Sequence, residues 1–171
     1  NLIFDNAAQY GGGIDADESN PLIINNHIFG NRVTDSHLRH LAGDGGGISI
    51  FNSSAEIYNN TIHHNAAQRR GGGIVTQDED IETHSMEIVI ANNLIYANSV
   101  IEQNGGGLCL RERGTIVVRG NTVVANVAPT AGGILMSGDL LEIDFLNNIV
   151  WENIAPTAPE GITSAFVVAD V

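Results

Sequence analysis

The chain has 171 residues, enough for one domain, and carries a formal net charge of −13 with no Lys anywhere. That charge excludes a nucleic-acid surface, whose phosphates demand a basic face, and fits a surface exposed to cations outside the cell. Cys109 is alone, which excludes an internal disulfide framework, and no apolar run reaches the roughly 18 residues of a membrane span.

Read in order, the chain repeats itself. An Asn-Asn-x-Ile-x-x-Asn unit occurs in six forms: Asn1 to Asn6, Asn25 to Asn31, Asn59 to Asn65, Asn92 to Asn98, Gly120 to Asn126 and Asn147 to Asn153. The last Asn recurs at 25, 34, 33, 28 and 27 residues. A Gly-Gly-Gly-Ile unit follows at Gly11, Gly45, Gly71 and Gly105, and weakens to Ala131-Gly132-Gly133-Ile134 and Glu160-Gly161-Ile162. A period of this size signals stacked solenoid units.

Each unit holds three short stretches that alternate with period two, the strand signature. One precedes the Asn pair (Glu56-Ile57-Tyr58, Met86 to Ile90, Thr115 to Val118, Glu142 to Phe145). A second follows it (Thr61-Ile62-His63, Leu94-Ile95-Tyr96, Thr122-Val123-Val124). A third follows the glycines (Ile48 to Ile50, Ile74 to Thr76, Leu108 to Leu110, Ile134 to Met136). Parity puts Ile57 and Asn59 on one face and Asn60 and Ile62 on one face, so a corner falls between the adjacent Asn residues. Asn suits such a corner because it tolerates left-handed φ/ψ. Stacked copies would form amide ladders. The glycines mark the other tight corner.

Three strands per turn and a minimum near 25 residues predict an all-β parallel β-helix of about six coils with three short strands per coil, a single domain over 1–171. Ile28, Ile62, Ile95, Val123 and Val150 form one expected core file, and Ile48, Ile74, Leu108 and Ile134 another. A leucine-rich repeat shares the period but needs a helical arc, and no stretch here has a 3.6-residue period. The extra residues fall in loops at Asp15 to Pro21, Arg32 to Asp44 and Gln77 to Ser85. Asn1 stands inside a repeat and Phe166-Val167-Val168 reads as a further strand, so the chain is expected to be a piece of a longer or assembled object.

With these motifs the chain resembles the right-handed parallel β-helix proteins of the pectin-lyase-like superfamily. More narrowly it is similar to bacterial surface and secreted β-helix repeats of the polymorphic outer-membrane-protein type. The handedness follows from that resemblance and from the right-handed preference of parallel crossovers. The resemblance implies an extracellular or bacterial cell-surface location. It also implies two classes of role: a spacer, adhesin or assembly subunit, or a polyuronate lyase or glycoside hydrolase. The lyases of that superfamily use Arg or Lys as base with Ca²⁺, and the hydrolases use clustered Asp.

Several constellations are candidates for chemistry. Outward positions before the Asn corner read Glu56, Glu87, Thr115, Val117, Arg119, Glu142 and Asp144, and Arg119 among Glu87, Glu142 and Asp144 is the enzyme-like set. A solvated ion-pair row is the plainer reading. Asp78, Asp80 and Glu82, with Glu79 and His84, could hold calcium, which takes six to eight oxygens, although they match no standard calcium loop. Otherwise no cofactor is expected. His63 and His64 are adjacent, and neighbours on a strand point to opposite faces, which makes joint ligation of a metal awkward. His37 and His40 would suit a metal on a helix alone. Cys109 is expected to point outward and to be inert.

The outward column after the Asn corner reads Phe4, Phe29, His63, Tyr96, Val124 and Trp151. Beside it run Leu2, His27, Thr61, Leu94, Thr122 and Ile149. An apolar and aromatic strip of this kind marks an interface, with a protein partner, with another copy or with a polysaccharide.

Overall fold

In the computed structural model of the chain, residues 1–34, 43–78, 86–156 and 166–169 are described. Among them there is no helix, and every paired strand is parallel. The strands stack as successive turns of a parallel β-helix. A six-stranded sheet takes Leu2–Phe4, His27–Phe29, Thr61–His63, Leu94–Tyr96, Thr122–Val124 and Ile149–Trp151 in sequence order. These are the strands expected after each Asn corner.

The other two stretches do not form separate sheets. The strand after the glycines and the strand before the Asn pair belong to one large sheet. In Leu108–Arg119 and Ile134–Leu146 they run on as single strands of 12 and 13 residues. Those turns carry only a small irregularity near Arg111 and Arg113. Earlier turns keep the two parts apart, as Ile74–Gln77 and Met86–Ala91. The expected loop at Asp15 to Pro21 is likewise shorter than its sequence suggests, because Ile14–Asp17 is a strand paired with Ile48–Phe51.

A further short strand, unforeseen by alternation, follows the last Asn of the unit: Ala7–Ala8, Arg32–Val33, Ala66–Ala67 and Ser99–Val100 make a four-stranded sheet. Two residues are too few to show a period.

The core is built of files running along the stack. Ile3, Ile28, Ile62, Ile95, Val123 and Val150 lie in register, and so do Ile14, Ile48, Ile74, Leu108 and Ile134. Their middle members are fully buried. Files through Ile23, Ile57, Ile90 and Val118 and through Ala55, Ile88 and Ile116 complete the cluster. Each fully buried aliphatic side chain contributes about 1.5–3 kcal/mol over leaving it in water.

Two asparagine ladders close the corners. One runs through Asn1, Asn26, Asn60, Asn93, Asn121 and Asn148, the other through Asn6, Asn31, Asn65, Asn98, Asn126 and Asn153. A typical member, Asn65, donates its backbone N–H and its Nδ2 to Asn98 Oδ1, both at 3.0 Å, and Nδ2 also donates to the Ile28 carbonyl at 3.0 Å. The residue before each ladder Asn from Asn6 onward is left-handed: Asn59 (φ 55), His64 (φ 53), Asn92 (φ 57), Ala97 (φ 53) and Glu152 (φ 51) are examples. This corrects the simple parity argument. Asn59 is exposed rather than sharing the inward face of Ile57, and its left-handed turn swings Asn60 inward.

The glycine corner has a division of labour. The first position is left-handed, at Gly11, Gly45, Gly71, Gly105 and Ala131. At the second, a Cβ on Gly72 would lie 2.5 Å from the Gly106 carbonyl oxygen and 2.6 Å from that of Ser99, so only Gly lets the turns approach.

Candidate functional site

The outer face of the six-stranded sheet carries the aromatic strip in the expected order. Parallel stacking puts equivalent residues one turn apart, close to ring-stacking distance. Phe4 and Phe29 stack at 5.1 Å and 4°, Phe29 and His63 at 5.2 Å and 5°, and His63 and Tyr96 at 4.6 Å and 15°. The ladder therefore spends its own ring faces internally and shows mainly ring edges to water. Val124 interrupts it, and Trp151 lies beyond with no ring partner among the described residues. Leu2, Phe4, Leu94, Ile149 and Trp151 on this face are 40–66% exposed.

A histidine trio sits in the strip. His27 pairs with Thr61 across the strand boundary, so it lies diagonal to His63. Their Nε2 atoms are 2.6 Å apart. His64, at φ 53, is a corner residue rather than a strand residue, and its ring turns back beside His63, with Nδ1···Nδ1 of 2.7 Å. The expectation that adjacent His63 and His64 diverge fails for that reason. Burial, and then the neighbouring His27 and His64, lower the pKa of His63. Among the described residues, no group of three His, Cys, Asp or Glu converges as a metal shell does.

The enzyme-like row is spread out. Thr115 lies between Glu87 and Glu142 on adjacent strands, while Arg119 stands four residues further along, about 13 Å at strand rise. Asp144 pairs with Val117 and is diagonal to Arg119. Among the described residues Arg119 makes no ion pair with any of the three. It lies instead near Tyr58, whose pKa is raised by desolvation and by the hydrogen bond and charge of Glu56, and is lowered somewhat by Arg119. Of the calcium candidates, Asp78 is half-buried just after Ile74–Gln77, and its N–H donates to the Arg111 carbonyl at 3.2 Å. Asp80 and Glu82 lie outside the described residues, as do Glu79, His84, His37 and His40.

Alternation before the Asn corner missed a second constellation, on the outer face just after the glycines. Asp15 and Asp17 alternate outward from Ile14–Asp17, and with Tyr10, Asp44, Ser49, Phe51, Val75 and Gln77 they line a cleft of about 270 Å³. Desolvation raises the pKa of Asp15; a hydrogen bond to Ser49 lowers it and the charge of Asp17 raises it further. Asp44, Arg70, Asn104 and Thr130 stack at the residue before each glycine corner. Arg70 Nε approaches buried Asp44 Oδ2 at 3.5 Å, and Arg70 Nη1 donates to Gln77 Oε1 at 3.2 Å. The signal was in the chain, as carboxylates at the first and third positions after Gly-Gly-Gly-Ile. Cys109 does point away from the main core, but it is fully buried in a small cluster with Val75, Ala131 and Leu135, which corrects its expected exposure.

No helix among the described residues is long and apolar enough to cross a membrane. Comparison with curated proteins and with solved structures gives no match. The family described as the right-handed beta helix region matches residues 1–150. The parallel stack, its inward files and its corner ladders agree with that match, and the chain belongs to the right-handed β-helix family.

Proposed function

We propose that the chain is a non-catalytic, secreted or cell-surface β-helix module that acts as an assembly subunit, docking a second copy through the outer face of its six-stranded sheet. The observation that carries this reading is the exposure of Leu2, Phe4, Leu94, Ile149 and Trp151 on that face, joined by the column through Phe29, His63, Tyr96 and Val124. A contiguous apolar face favours contact with another protein surface. A second copy is the natural occupant because its side-chain rows repeat at the same turn spacing, so rows interdigitate in register across a two-fold contact. Sugar binding is less favoured on this face, since the stacked rings from Phe4 to Tyr96 have few free faces to offer.

Sedimentation velocity over a range of protein and salt concentrations tests the reading. Association should strengthen with salt, which screens the −13 charge of each copy. Leu94→Arg combined with Trp151→Arg should leave a folded monomer. A wild-type chain that stays monomeric throughout would sink the reading.

A second reading, action on an acidic polysaccharide, draws on the Asp15, Asp17 and Asp44 cleft beside Arg70. Incubation with polyuronates, with and without Ca²⁺, separates the two: release of product abolished by Asp15→Asn would favour catalysis.

A further inference from the structure

The strands His27–Phe29 and Thr61–His63 are neighbours, and their outer His27 and His63 meet the corner residue His64 in one chain of three imidazoles. A neutral imidazole has one N–H and one lone pair. With its proton on Nδ1, His63 donates to His64 Nδ1 at 2.7 Å, and its Nε2 lone pair then faces His27 Nε2 at 2.6 Å. That is the arrangement found at metal-binding histidines, where the far ring nitrogen donates to a partner that fixes tautomer and orientation. Packing holds the rings as well: Phe29 lies 4.6 Å from His27 and 5.2 Å from His63, and Tyr96 stacks on the other face of His63.

We propose that His27 Nε2 and His63 Nε2 form a two-nitrogen chelate for a transition-metal ion of the Zn²⁺, Ni²⁺ or Cu²⁺ class, with His64 as the positioning residue. Metal–nitrogen bonds of about 2.0–2.1 Å at a tetrahedral angle need the two nitrogens about 3.3 Å apart. Small side-chain rotations at these half-buried residues supply the difference from 2.6 Å. The proton that His27 Nε2 carries in the metal-free pair moves to its own Nδ1, so the ring stays neutral. No third protein donor of the His, Cys, Asp or Glu type converges on the point among the described residues, so water completes the shell. Imidazole donors select these ions over Ca²⁺, which prefers oxygen. The site lies on the same sheet face as the docking reading but does not rest on it, because two nitrogens of one copy form it.

The test is calorimetric titration of the full chain, at concentrations where it is monomeric, with Zn²⁺ and separately with Ni²⁺. His27→Ala and His63→Ala should each weaken a one-to-one event at least tenfold. His64→Ala should weaken it about tenfold, and His64→Gln, whose side-chain oxygen can accept the Nδ1 proton, should restore most of the loss. NMR of the wild-type chain with substoichiometric Cu²⁺ guards against variants that fail to fold: the His27 and His63 ring signals should broaden first. Binding unchanged in both His27→Ala and His63→Ala, or broadening confined to His37, His40 and His84, would overturn the site. Wild-type affinity in His64→Ala would remove its positioning role.

Discussion

Asn98 and Asn126 join neighbouring turns through one shared oxygen: Asn126 Oδ1 accepts from Asn98 Nδ2 at 3.0 Å and from the Asn98 backbone N–H at 2.9 Å. Asn98 Oδ1 in turn accepts both donors of Asn65, and Asn98 Nδ2 also reaches the Ile62 carbonyl at 3.0 Å. Asn98→Ala therefore leaves the buried Asn65 N–H without its acceptor and removes one partner each from Asn65 Nδ2, Asn126 Oδ1 and the Ile62 carbonyl. Each buried group left without a partner costs about 1–3 kcal/mol, with partial relief from relaxation. The expected loss is about 1–3 kcal/mol, measured by urea denaturation. A change below about 0.5 kcal/mol would show that water replaces the ladder.

Ile62 has no exposed surface and lies in register with Ile28 and Ile95. Ile62→Asp places a charge in a dry aliphatic file, where no partner can compensate it. Hydrogen exchange should report loss of protection across the strands centred on Ile28, Ile62 and Ile95. Protection retained there would mean that the file is not the folding core.

The glycine corner predicts an asymmetry between neighbours. Ala131 already occupies the first, left-handed position at φ 51, so a methyl group can be tolerated there. A Cβ on Gly71 would lie 2.7 Å from the Ile74 carbonyl oxygen and 2.6 Å from Val75 Cβ within its own corner, the kind of corner that Ala131 occupies, whereas on Gly72 it would meet the Gly106 and Ser99 carbonyl oxygens of the next turn and push the stacked turns apart. Gly72→Ala should lower the thermal midpoint well below that of Gly71→Ala. Equal midpoints would mean that turn spacing is softer than the stacked backbone implies.

Asp15 sets a pH dependence. Its folded pKa is raised, chiefly by desolvation, above the unfolded value of 3.8. Between those two values the folded state binds more protons than the unfolded state, so Asp15 makes stability fall as pH rises through the window. At neutral pH the ionised carboxylate opposes folding. Asp15→Asn should thus raise the urea midpoint at about pH 7, and the advantage should shrink towards about pH 4. A variant less stable than wild type at neutral pH would contradict this sign.

The sequence by itself determined the coil. Inward and outward parity along Thr61-Ile62-His63, the recurrence of Asn65, Asn98 and Asn126, and the glycines at Gly71 to Gly73 are local features. Identical turns stacked in parallel turn each local feature into a file. The aromatic strip was legible for the same reason. Tertiary structure alone decided what happens where parity breaks. The left-handed φ of Asn59 and His64 reverses the expected faces, exposing one and bringing the other beside His63. Cover from Val75, Ala131 and Leu135 buries Cys109, and these residues come from the turns on either side of it. The cleft at Asp15, Asp17 and Asp44 also joins residues from separate turns, 27 positions apart from Asp17 to Asp44. A period-two pattern describes one strand at a time. Contacts across turns depend on loop length and corner angle, which that pattern does not encode.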